Sequence, residues 1–109
     1  ILGHSNCGGV EYSYKTLLDK KNINDFEYIN QWATCLQNSY NNIPDDLQET
    51  EKITFFEQEN IKQSIKNLSE YSFIDKLIKE NKLNVVGLWY QISSGLIKFL
   101  DNNSFVDLD

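Results

Sequence analysis

Ile1-Leu2-Gly3-His4-Ser5-Asn6-Cys7-Gly8-Gly9-Val10 is the stretch on which the fold turns. Two aliphatic residues and a glycine read as the end of a buried strand, and Gly8-Gly9 opens a helical pattern through Val10, Tyr14, Leu17 and Leu18. The segment between them therefore sits on a strand-to-helix turn. It carries the only histidine of the chain, three residues before one of its two cysteines. Zinc takes neutral imidazole nitrogen and thiolate sulfur in a roughly tetrahedral set, and a His-x-x-Cys turn can aim both at one point. His4 and Cys7 are thus the candidate metal ligands. Gly3 and Gly8 are expected to supply tight or positive-φ backbone beside the metal, and the free amides opening the helix would favour a thiolate or an anion.

His-x-x-Cys alone also arises by coincidence, and two donors do not hold zinc. A closed structural site takes four protein ligands and an open catalytic one typically three plus water. A further ligand has to come from Cys35, a carboxylate, another segment or another chain. Cys35, between Thr34 and Leu36, reads as a small buried hydrophobe. A Cys7–Cys35 disulfide is the alternative, disfavoured in a chain expected to be intracellular.

Working outward, residues 20–24 form a polar break, and Asp25 is expected to cap a helix carrying Phe26, Ile29, Trp32, Ala33, Leu36 and Tyr40 on one wide face. Of that face, the aromatic Phe26, Trp32 and Tyr40 read as core. Residues 41–46, with the single proline Pro44, read as a loop. A long helix then begins around Gln48 to Lys52 and runs through Ile53, Phe56, Ile61, Ile65 and Leu68. Ser72 and Asp75 resemble a capping box for a short helix burying Phe73, Ile74, Leu77 and Ile78, ended by Asn81-Lys82. Residues 83–92 lose the helical period and read as a strand. Ser93-Ser94-Gly95 turns it into a second strand over 96–100, a hairpin, and residues 101–104 are polar. An incomplete strand, several helices and a terminal hairpin predict an α/β domain.

The chain has 109 residues, 40% of them hydrophobic, enough for one modest core. Sixteen acidic against ten basic residues give a net charge of −6, the wrong sign for neutralising nucleic-acid phosphates or anionic membranes. All ten basic residues are lysines, so a bidentate guanidinium is not available from this chain. No apolar run approaches the roughly 20 residues of a membrane-spanning helix, and no signal-peptide pattern opens the chain. The expected localisation is cytoplasmic. The chain contains no methionine, which is read as an N-terminus lying downstream of the natural start.

At this point the residues resemble a family. Gly3-His4-Ser5-Asn6-Cys7-Gly8-Gly9-Val10 is similar to the second zinc motif of the β-class carbonic anhydrases, Gly-His-x-x-Cys-Gly-Gly, in which His and Cys bind the metal. Glu59-Asn60-Ile61-Lys62-Gln63-Ser64-Ile65-Lys66-Asn67-Leu68 resembles that family's Glu-Asn-Val-x-x-Gln-Val-x-Asn-Leu helix, with Gln63 one place early. Gly87-Leu88-Trp89-Tyr90-Gln91-Ile92-Ser93-Ser94-Gly95 resembles its late strand and turn. There Gln91 stands for the usual Asp, and Trp89 is displaced by one place. The three blocks run in family order over almost the whole chain.

The resemblance implies a central, mostly parallel sheet flanked by helices with a C-terminal β-hairpin, of which residues 1–109 are the C-terminal portion of a single domain. It implies one zinc ion per active site, held by His4, Cys7 and a cysteine of an upstream Cys-x-Asp-x-Arg segment absent here. It further implies reversible hydration of carbon dioxide to bicarbonate and a proton, and a homodimer or higher homo-oligomer, to whose contact Phe26, Trp32 and Tyr40 would belong if they are not core. The expected catalytic Asp–Arg pair lies in that upstream segment, so the fragment by itself is expected to be inactive. Gly8 is the candidate for close backbone approach to substrate, or simply a helix-start glycine. Rival readings are an inactive remnant serving as a structural or interaction module, a relative hydrolysing carbon disulfide, and an unrelated zinc domain built on His4, Cys7 and Cys35.

Overall fold

A computed structural model describes residues 1–18 and 27–108. The expected cap Asp25 and the apolar Phe26 lie outside the described residues. The element order is β1 (Leu2–His4), α1 (Gly8–Leu18), α2 (Glu27–Thr34), α3 (Gln37–Asn41), α4 (Glu49–Ser69), α5 (Ser72–Lys79), β2 (Leu88–Gln91), β3 (Leu96–Asp101) and β4 (Ser104–Asp107). The elements divide into two compact units, one of residues 1–5 and 61–109, the other of residues 6–60.

The first unit holds a four-stranded sheet in the order β1-β2-β3-β4. β1 runs parallel to β2, with Gly3 opposite Trp89 and His4 opposite Tyr90. β2/β3 and β3/β4 are antiparallel. The expected α/β arrangement with a C-terminal hairpin is present, and within this portion of the domain the sheet is mixed, with one parallel pairing among the described strands. Two-strand ribbons close by short turns and suit an antiparallel meander, whereas a parallel pair needs a long crossover. Residues between β1 and β2 supply that crossover.

Three details depart from the sequence reading. Strand β2 is short, and residues 83–87 carry no regular structure. Nevertheless Val86 and Gly87 bond through their carbonyls, to the Ile1 ammonium at 2.9 Å and to the Leu100 amide at 2.9 Å. Beyond β3 the polar residues are a two-residue turn at Asn102 (φ 54°) and Asn103 into a fourth strand that periodicity did not mark. And Leu2 is exposed, so β1 is not the buried strand its composition suggests.

Trp89 is buried on β2, and Ile61 is buried on the C-terminal part of α4. Gly87 is closely packed: a Cβ there would lie 2.9 Å from Ile65 Cδ1, 3.0 Å from Ile61 Cγ2 and 3.4 Å from Leu100 Cβ. α5 is a helix of 8 residues with none buried. The expected capping box is absent, because the N-cap is Tyr71, which makes no side-chain cap bond, and Ser72 is already helical. Phe73 and Leu77 are exposed where burial was expected, and Phe73 meets the Tyr71 ring in a tilted contact at 6.0 Å between centroids. The C-terminus follows the sequence reading: Asn81 takes φ 57°, Lys82 N–H bonds Leu77 C=O at 2.9 Å and Asn81 N–H bonds Ile78 C=O at 3.1 Å. That pair of bonds is the Schellman arrangement, which needs left-handed backbone just past the helix.

The second unit packs Val10, Tyr14 and Leu17 of α1 against Leu36 and Phe56, with Cys7, Tyr40, Ile43 and Ile53 partly buried around them. Tyr14, Tyr40 and Phe56 form an aromatic triad with centroids 5.9–6.4 Å apart, in tilted and edge-on geometries that suit the ring quadrupoles. The helix expected to run continuously to Tyr40 is broken at Cys35-Leu36. There Cys35 N–H and Leu36 N–H bond three residues back, to Trp32 and Ala33, before α3 begins. The break turns Ala33 and Leu36 inward and leaves Ile29 and Trp32 about half exposed. Tyr14 donates to Glu49 at 2.8 Å. Burial first, then that bond and the nearby Glu49 charge, push the Tyr14 hydroxyl up to about 12.

Candidate metal centre

His4 is the last residue of β1 and Cys7 immediately precedes α1. Ser5 and Asn6 connect them. Ser5 continues the strand pairing beyond β1: its amide bonds Tyr90 C=O at 2.8 Å, and its hydroxyl accepts the Ile92 amide at 2.8 Å. Asn6 then reverses the chain at φ 53°. The positive-φ backbone expected of Gly3 and Gly8 is therefore supplied by Asn6, one of the few residue types that tolerate the left-handed region. Gly3 can stay extended because it is paired in the sheet, and Gly8 is already helical.

The imidazole of His4 places Nδ1 2.8 Å from the Ser5 carbonyl. A carbonyl only accepts, so the bond is satisfied when Nδ1 carries the proton, which leaves the Nε2 lone pair for a metal. Cys7 is a free thiol, partly buried. Its backbone is held at both ends: its carbonyl accepts the Glu11 amide at 2.9 Å, closing the first turn of α1, and its amide donates to Glu57 Oε2 at 3.3 Å. Glu57 is 4% exposed. At Gly8 an added Cβ would meet nothing within 4 Å, whereas at Gly9 it would lie 2.9 Å from the Trp32 ring and 3.9 Å from Cys7 Sγ.

Cys35 is exposed and unbridged, its Sγ 3.8 Å from the Gln31 carbonyl. The expectation of a buried hydrophobe is corrected: the break after α2 carries Leu36 into the core and leaves its neighbour outside. Among the described residues no group of three His, Cys, Asp or Glu side chains is placed to hold a metal. A three-ligand centre of His4, Cys7 and Cys35 gains no support. The donor chemistry of His4 and Cys7 nonetheless fits zinc, as two of the three or four ligands it takes.

Ser5, Glu57 and Trp32 were not singled out as parts of this neighbourhood from sequence. Glu57 left one trace there: Ile53, Glu57 and Ile61 are four residues apart, so an acid stands in the apolar stripe of α4. The described helices include none long and apolar enough to cross a membrane.

Known proteins resemble this chain over most of its length. The family model described as carbonic anhydrase matches residues 1–97. Beta carbonic anhydrase 3 of Arabidopsis thaliana is 28% identical over 98 residues, covering 87% of this chain and 38% of that protein. The carbonic anhydrase of Saccharomyces cerevisiae is 24% identical over 102 residues, covering 90% and 46%. Among solved structures, the β-carbonic anhydrase CcaA superposes with a TM-score of 0.85 at 23% identity, over 100% of this chain and 50% of that one. A tetrameric β-carbonic anhydrase from Sordaria macrospora superposes with a TM-score of 0.73 at 26% identity, over 99% and 52%. The chain thus spans about half the length, or less, of the relatives it matches.

Proposed function

The chain belongs to the β-class carbonic anhydrase family, and from that premise we propose that it supplies His4 and Cys7 as zinc ligands to an enzyme that reversibly hydrates carbon dioxide to bicarbonate and a proton. The observation that carries the reading is the strand-to-helix turn itself, with the His4 Nδ1 engaged by the Ser5 carbonyl and the Cys7 backbone fixed on both sides. Bound zinc supplies the Lewis acidity that makes water a nucleophile at neutral pH. His4 would coordinate through Nε2, its tautomer set by Ser5, and Cys7 through its thiolate. Zinc needs at least one more protein ligand, and the family pattern assigns it to a Cys-x-Asp-x-Arg segment. Without any arginine, this chain relies on that segment for the Asp–Arg pair that orients hydroxide and bicarbonate.

Gly8 offers the open side of the turn. No neighbouring atom occupies the space a side chain would take, and the amides opening α1 face an anion favourably. Bicarbonate, as an anion, is the species that site would favour. The relatives from Sordaria macrospora are tetrameric, and the chain is proposed to assemble as a homo-oligomer and to act in the cytoplasm.

The test is stopped-flow carbon dioxide hydration with zinc quantified on the same sample, for the chain alone and mixed with a segment carrying Cys-x-Asp-x-Arg. Activity in the mixture, abolished by His4→Ala and by Cys7→Ser, is the expected result. Stoichiometric zinc in the mixture with no hydration would overturn the assignment.

A further inference from the structure

We propose that Glu57 is a positioning residue for Cys7, holding the thiol in the direction in which a metal ion would meet it. The inference rests on the reading of Cys7 as a ligand and adds to it a residue on a different element. The first amides of a helix have no acceptor within it, and Cys7 N–H, at the entrance of α1, finds one in Glu57 Oε2 at 3.3 Å. A carboxylate that is 4% exposed costs stability unless donors surround it. Glu57 therefore occupies an interior position in the stripe of α4 on account of what it binds, since an aliphatic residue there would extend the core with no such cost.

The consequence for Cys7 is geometric. Glu57 fixes its amide and Glu11 N–H fixes its carbonyl, at 3.3 and 2.9 Å, so the peptides on both sides of its Cα are held and the Cα–Cβ direction follows. Glu57 is itself seated by its neighbour Phe56, which is fully buried in the aromatic triad. On the far side, Gly9 leaves room for the Trp32 ring, and Cys7 Sγ lies 3.9 Å from the position a Gly9 Cβ would take. Partners that orient a metal ligand from behind typically change metal affinity by about 10- to 100-fold when removed.

The test mixes the chain with a segment carrying Cys-x-Asp-x-Arg, titrates with Co²⁺ and follows the thiolate-to-cobalt charge-transfer band, in the native sequence and in Cys7→Ser, Glu57→Ala, Glu57→Gln and Ile53→Val. A band in the native mixture that weakens in Cys7→Ser is expected, and no band, or one that Cys7→Ser leaves unchanged, would overturn the ligand reading and this proposal together. Given the band, Glu57→Ala is expected to weaken cobalt binding about 10-fold or more. Glu57→Gln, which keeps an acceptor and loses the charge, should fall between. Ile53→Val, which thins the same helix stripe and leaves the Glu57 carboxylate in place, should leave the affinity unchanged. If Glu57→Ala does not fold, Glu57→Gln decides, read beside the Cys7 amide proton resonance, which should move upfield as the bond weakens. Unchanged cobalt affinity and an unmoved Cys7 amide in Glu57→Gln would overturn the proposal while leaving the ligand reading standing.

Discussion

Gly87→Ala adds one methyl where the first unit has least room. The new carbon would sit 2.9 Å from Ile65 Cδ1 and 3.0 Å from Ile61 Cγ2, against a comfortable separation of about 3.5–4.0 Å for carbon pairs. Both isoleucine methyls must retreat by about half an ångström or more, with the Leu100 Cβ already in contact at 3.4 Å. Overpacking of this kind costs about 1–3 kcal/mol. Against it stands the reduced freedom of the unfolded chain, worth about 0.4–1 kcal/mol when the native backbone is one alanine can adopt. Gly87 is not among the positive-φ glycines, so that gain applies. The net expectation is a loss of about 0.5–2 kcal/mol, measured by urea unfolding followed through far-UV circular dichroism and the fluorescence of buried Trp89. Ile65→Val removes the Cδ1 atom that the methyl meets, at a cost by itself of about 0.5–1.5 kcal/mol. In combination the two changes should cost less than their sum, by about 0.5 kcal/mol or more. A stabilised Gly87→Ala, or strict additivity with Ile65→Val, would refute the reasoning.

Three further expectations concern other parts of the chain. Because the folded state raises the Tyr14 hydroxyl from its ordinary value of 10.0 to about 12, its contribution is complete below pH 10 and is lost as pH rises through 12. The shift corresponds to roughly 2–3 kcal/mol, and the stability difference between native sequence and Tyr14→Phe, followed by urea titration across that window, should shrink accordingly. A difference that stays constant would contradict it. Asn81→Gly should stabilise α5 by a few tenths to about 1 kcal/mol, and Asn81→Ala should destabilise it by about 1–2 kcal/mol, both read from thermal melts. Equal melting temperatures would show that the left-handed backbone past α5 carries no cost. Ser5→Ala strips the Ile92 amide of its acceptor and should cost about 1–2 kcal/mol, with faster exchange of the Ile92 amide hydrogen; an unchanged exchange rate would mean the hydroxyl is dispensable.

What the sequence made legible were features whose cause is local. The strand-to-helix turn at His4 and Cys7 carried its punctuation in Gly3 and Gly8-Gly9, α4 carried a long apolar period, and the β2–β3 hairpin carried Gly95, whose φ is 74°. The chain break at Cys35-Leu36 left no such mark, because the apolar spacing continues across it and no glycine or proline stands there. Burial was the least legible. Periodicity at Ile29, Trp32 and Phe73 marks an apolar face without saying what covers it, and all three are exposed. Asn6 and Glu57 escaped for a related reason: the first looks like any polar turn residue, and the second acts on a residue 50 positions away.

The parallel pairing of β1 also sets an order of events. Its hydrogen bonds tie Ile1 to Val86 and Ser5 to Ile92, 85 and 87 positions apart, while β2, β3 and β4 join neighbour to neighbour through short turns. During synthesis at about 5–20 residues per second, the segment bearing His4 and Cys7 waits roughly 4–17 seconds for its partner strand to be made. Through that interval β1 exists without β2, so His4 is made well before the strand beside which it is seated.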